Sequence, residues 1–270
     1  MALALRFAEE AEFSSRACEP SYDDEPEAAP SRAFFRWSRA AREHVGGVQG
    51  RLAVQTLVVA TPNAAAQRFL RGLTQHWQPI GTLVVSDQRV PRVSMSELVA
   101  ATELRSPVGP GDSAFGRHVA VIVPTELSSQ SIWTWTQTLL ERVEAQEIVV
   151  LESQLSTIYS HGDDDDDDVP SLRVLTTSAA RDEKLARLLP TLETPRFLVG
   201  VAAALLTQGE LRHRRVRAFV SLCTANTPAA MATRSFAPLL SLLDLPSPSF
   251  SSPPAGSTSI EEDEFSALYT

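Results

Sequence analysis

The segment Val54–Val59 limits most what this chain can become, because Leu57, Val58 and Val59 run apolar without alternation. A strand with one wet face alternates, whereas an unbroken apolar run is what a strand covered on both faces of a sheet requires. Thr61, Pro62 and Asn63 follow at once and resemble a helix start, with proline just inside a capping threonine. Ala64–Leu73 then continue at helical spacing. A strand passing straight into a helix is the mark of an α/β unit.

The same alternation recurs along the chain. Structure is expected from Phe34 onward. Leu83–Ser86 predicts a short strand and His118–Val123 a strong one. Ser128 or Ser129 caps a helix reaching about Val143, with Ile132, Trp135, Leu139 and Val143 near one face. Strands are predicted at Glu147–Leu151, Leu172–Thr176 and Arg215–Leu222, and helices at Phe197–Leu206 and from about Pro228 to Leu243. The expected fold class is α/β: a single layered domain over 34–245, with a mostly parallel or mixed sheet flanked by helices. Ahead of it lies an acidic, disordered arm at 1–33, inside it an acidic loop at 161–170, and behind it a flexible linker and C-terminal docking tail at 246–270. No internal repeat is visible.

The net charge of -9 misleads until it is divided by region. Eight carboxylates fall between Glu9 and Glu27, six between Asp163 and Asp168, and four between Glu261 and Glu264, together 18 of the 33. Such runs are solvated segments, and the remainder is mildly basic. No apolar run of about 18 residues is present, so no membrane contact is expected. The start runs into Glu9, Glu10 and Glu12, unlike a signal or transit peptide. With only Cys18 and Cys223, no disulfide framework or cysteine metal site is supported. A reducing compartment, cytoplasmic or nuclear, is the expected location.

Gly111, Asp112 and Ser113 resemble the Gly-Asp-Ser motif of some esterases, yet they sit in a Pro/Gly-rich loop instead of following an early strand. An α/β enzyme of nucleoside phosphorylase or hydrolase type would need His118, Asp112 and Ser113 within hydrogen-bond reach. Gly46 and Gly47 read as a turn. The histidines at 44, 76, 118, 161 and 213 show no metal-ligand spacing. No catalytic residue, cofactor or metal site is therefore expected. Arg212, His213, Arg214, Arg215 and Arg217 form the densest basic patch. Without interleaved stacking aromatics it reads as a solvated strand end or a contact to an acidic protein, not a nucleic-acid site. Arg215 and Arg217 are thus candidate interface residues. Trp133 and Trp135, two apart on one helix, cannot both face the same core, so one of them belongs at an edge or interface.

The last three residues are Leu268, Tyr269 and Thr270, carried beyond a Pro/Ser-rich spacer from Pro246 to Ser257. Capture of a C-terminal carboxylate is an established recognition mode. Burying the leucine gains about 1.5–3 kcal/mol, and a hydrogen bond to the carboxylate adds about 1.5–3 kcal/mol. After the cost of ordering the tail, binding is about millimolar. A folded body must supply a second contact, making the docking intramolecular.

Taken with this ending, the order of elements resembles the eukaryotic proteasome assembly chaperone family, on the side of its first subunit, which pairs with a second chaperone subunit in a heterodimer. The residues that carry the resemblance are the hydrophobic-Tyr-X ending at Leu268, Tyr269 and Thr270, and the His118–Val123 strand with its Trp-containing helix and the Glu147–Leu151 strand. To these are added the Leu198–Leu206 helix, the strand through Ala218–Cys223, and Ser235–Leu240 as a closing helix. The Asp run, the long spacer and 79–116 depart from the family pattern. The resemblance implies a non-enzymatic chaperone that binds the proteasome α ring during assembly. It also implies a tail that enters a groove between α subunits, where a lysine meets the terminal carboxylate.

Overall fold

The computed structural model describes residues 31–87, 92–100, 117–156, 170–243 and 245. Its centre is the strand the sequence marks first, β2 (Leu52–Ala60), in which residues 56–60 are all buried. β5 (His118–Ile122) and β6 (Val143–Leu155) lie parallel to it on either side, and β8 (Arg215–Cys223) is parallel to β6. These four carry the apolar runs because helices cover both of their faces. Outside them the direction reverses. β1 (Arg32–Trp37), β3 (Gln78–Asp87) and β4 (Arg92–Ala100) add antiparallel beside β5, and β7 (Ser171–Thr176) adds antiparallel beside β8. The result is an eight-stranded mixed sheet in the order β1-β3-β4-β5-β2-β6-β8-β7, within a single α/β domain.

Two helical layers enclose it. On one face α1 (Arg39–His44), α3 (Ser129–Arg142) and α5 (Gly200–Leu211) pack over Leu57, Val59, Val121, Ile148 and Val150. On the other, α2 (Ala64–Leu73), α4 (Glu183–Leu188), α6 (Ala229–Arg234) and α7 (Pro238–Leu242) pack over Val58, Ala60, Ala120, Val149 and Phe219. Alternate residues of the same strands thus feed two separate cores. Among the described residues no helix is long and apolar enough to cross a membrane.

Four local expectations need correction. The cap of α2 is Asn63, whose side chain accepts from Ala65 N at 2.9 Å, so Pro62 precedes the helix instead of opening it. Thr61 donates its hydroxyl across the sheet to Leu151 O at 2.9 Å. The apolar helix begins at Gly200, not Phe197: Gly200 takes φ +62, a turn that L side chains resist, and leaves Phe197 and Val199 exposed. The predicted helix from Pro228 to Leu243 is two helices. Pro238 has no N–H to continue the ladder and its ring opposes the carbonyl four residues back; the break turns Phe236 fully inward against Phe69, centroids 5.6 Å apart. β4, finally, lies in a stretch read without a strand.

Candidate functional site

In an open α/β sheet, ligands bind beyond the carboxyl ends of parallel strands where the chain departs to opposite faces. Here that point lies between β2 and β5, since β2 leads to α2 on one face and β5 to α3 on the other. The polar groups there are engaged by main chain. Gln67 Nε2 donates to Val123 O at 2.8 Å and Pro124 O at 3.3 Å, and Asn63 Nδ2 donates to Ser153 O at 3.2 Å. Ser128 caps α3, accepting from Ser131 N. The crevice is stitched to its own backbone. The described residues include no group of three or more metal-ligating side chains. Asp112 and Ser113, the other members of the enzyme alternative, lie outside the described residues.

Beside the crevice sits a residue the sequence did not single out. Glu152, on β6, is held above its ordinary value of 4.5 by burial. The Ser153 N–H, donating to its Oε1 at 3.0 Å, and the Thr61 hydroxyl pull the other way, and the Glu126 carboxylate adds a small push upward. Native protein therefore holds this proton more tightly than unfolded chain. The stabilisation is complete below the unfolded value and is lost as pH rises through the folded one. Glu152→Gln should melt like the parent at acid pH and gain relative stability as pH rises to neutrality. Thermal melts of both proteins across pH check this; a difference in melting temperature that stays flat or shrinks with pH contradicts it.

The four candidate interface side chains separate in pairs. Trp135 is fully buried, with its Nε1 donating to Ser96 Oγ at 3.1 Å, while Trp133 points out at 46% exposure. Arg215 is exposed at the start of β8. Arg217 turns inward on the same strand: its Nε lies 2.8 Å from Glu147 Oε1, an ion pair bent away from a linear hydrogen bond, and its Nη2 3.8 Å from Asp182 Oδ2. Asp182 also caps α4, accepting from Lys184 N at 2.9 Å. An apolar groove of about 380 Å³ opens between α2 and the α6–α7 pair, with Arg68 and Arg234 on its lining. Leu268, Tyr269 and Thr270, the acidic arm and the Asp163–Asp168 run lie outside the described residues.

Solved structures share this architecture. PbaB, an archaeal proteasome activator from Pyrococcus furiosus, superposes with a TM-score of 0.54 at 13% identity, over 80% of this chain and 90% of that one. PbaA from the same organism, an archaeal homolog of proteasome-assembly chaperone, gives 0.51 at 13% identity over 80% and 87%. A Thermoplasma acidophilum protein of unknown function gives 0.55 at 13% identity over 79% and 86%. The likeness is one of fold. No protein-family model matches the chain, and no curated protein matches it significantly in sequence.

Proposed function

We propose that this chain is an assembly chaperone for the proteasome core particle, acting in the cytosol or nucleus without catalysis. It binds the α ring as one half of a heterodimer, in the place of the eukaryotic family's first subunit, and docks its hydrophobic-Tyr-X end between α subunits. One conjunction supports the reading: the fold of PbaA and PbaB, matched over four-fifths of this chain, stands in a sequence that ends Leu268-Tyr269-Thr270. Leu268 fills the groove mouth, Tyr269 packs and hydrogen-bonds, and the Thr270 carboxylate pairs with a lysine. Glu261–Glu264 add an attraction to a basic rim that salt screens.

The physics is competitive docking. A tail that binds weakly alone becomes effective when a folded body holds it nearby, and it denies the same groove to any other tail. The test compares the full chain with a chain ending at Ala267, each titrated onto isolated proteasome α rings. The tail's net contribution of roughly 1.5–3 kcal/mol predicts a 10- to 100-fold weaker Kd for the truncation, with an unchanged melting temperature. Equal affinity would remove the tail from the mechanism; no binding by the full chain would remove the assembly role itself.

A further inference from the structure

The outward face of β1, β3 and β4 carries four apolar side chains, Phe34, Val84, Val93 and Met95, among five polar or charged ones, and no described helix covers it. The register aligns three rows across it: Arg32, Ser86 and Val93; then Phe34, Val84 and Met95; then Arg36, Thr82 and Glu97. Phe34 is 59% exposed, Met95 61% and Val93 70%. The helices that pack on these strands, α1 and α3, lie against the opposite face, over Trp37, Leu83 and Leu98.

β4 makes the pattern unusual, because its alternation is inverted over residues 93–96, ahead of the buried Leu98 and Ala100. Ser94 and Ser96 are buried while Val93 and Met95 face solvent. A slip of one residue would exchange the two sets. The observed register is pinned by Trp135 Nε1 donating to Ser96 Oγ, and by Thr125 Oγ1 donating to Ser94 Oγ at 3.2 Å. Burial among the described residues does not account for the apolar side chains on the outer face, whereas association does.

The charges indicate what covers it. Arg36 and Glu97 end the third row on strands two apart, roughly 9.6 Å across the sheet. Neither makes an ion pair among the described residues. Turning a second copy about an axis along the strands lays β1 over β4. Arg36 of each copy then meets Glu97 of the other, Phe34 meets Met95, and Val84 meets its own equivalent. Turning it about an axis across the strands would instead stack Arg36 on Arg32 and leave Glu97 on Val93, whereas the first arrangement leaves only Arg32 against Val93.

We propose that this face pairs with a second copy of this chain in a two-fold, face-to-face sheet packing, with reciprocal Arg36–Glu97 ion pairs around a Phe34–Val84–Met95 centre. Such an interface is isologous and of the aligned sheet-on-sheet kind. Three strands by three rows cover about 15 by 20 Å, or roughly 300 Å² per copy against about 800 Å² in a standard interface. The dimer is accordingly weak, with a Kd on the order of 0.1 mM. The inference goes beyond the assembly role and does not use the tail.

Sedimentation equilibrium of the full chain from about 5 µM to 1 mM, a range spanning that Kd, should show the mass climbing from monomer toward dimer. Arg36→Glu and Glu97→Arg should each stay monomeric. An equimolar mixture of the two should associate again, since every facing pair in the mixed dimer is opposite in sign. The double variant should regain self-association. A full chain monomeric throughout, single variants that dimerise like the parent, or a mixture that stays monomeric would each overturn the proposal. Association found only with a different protein would do the same. The chain ending at Ala267 should dimerise unchanged, which separates this result from any failure of tail docking, and the melting temperature of each variant confirms that it folds.

Discussion

Trp135→Ala is expected to cost about 4 kcal/mol of folding stability, within the range for removing a large buried aromatic. The side chain is fully buried at the centre of α3 and shares a core with Leu57, Leu98, Val121 and Leu139. Two losses combine. The cavity would open between α3 and the sheet, where packing relaxes only in part, and Ser96 would lose the indole N–H inside that core. In a domain of this size the melting temperature should fall by roughly 8–16 °C. Trp135→Phe restores most of the volume but not the donor and should fall between parent and alanine variant. Trp133→Ala, two residues away on the exposed side of the same helix, should change stability by no more than about 0.5 kcal/mol. Thermal and urea melts of the three variants decide it; equal losses at 133 and 135 would contradict the burial difference.

That pair also shows how far a sequence can be read. The i, i+2 spacing on a helix forces two tryptophans apart, but only the packed structure says which one is inside. β2 was legible because a strand buried on both faces leaves an unbroken apolar run, and β8 for the same reason. β4 was not, because two of its buried positions, ahead of Leu98 and Ala100, are serines satisfied by Trp135 and Thr125, partners distant in sequence, while Val93 and Met95 face outward. The closing helix was placed correctly but joined through Pro238, where the missing N–H separates α6 from α7. In the basic patch, Arg215 and Arg217 look equivalent by residue type and share a strand face. What separates them is Glu147 on β6 and Asp182 at the start of α4, brought together only by folding. Glu152 was missed likewise, since burial rather than any motif gives it its character. The tail reading rests on sequence and resemblance, as Leu268–Thr270 lie outside the described residues.

Glu147→Ala should destabilise the fold by about 3 kcal/mol, because it strands a guanidinium that is almost completely enclosed. Arg217 is 6% exposed, and the carboxylate it would keep, Asp182, stands at 3.8 Å against 2.8 Å for Glu147. The cost does not measure what the pair contributes. Burying two charges is itself unfavourable, so replacing both by apolar groups of similar volume is often nearly neutral. The double variant Glu147→Leu with Arg217→Met is therefore expected to be more stable than Glu147→Ala. Asp182→Asn should be milder than either, since an amide oxygen can still cap α4 while the longer charge contact is lost. A double-mutant cycle on urea midpoints separates the pair's coupling from the desolvation of Arg217. If Glu147→Ala costs less than about 1 kcal/mol, Asp182 or water already neutralises the arginine, and the inward turn of Arg217 reflects the packing of its aliphatic stem rather than its charge.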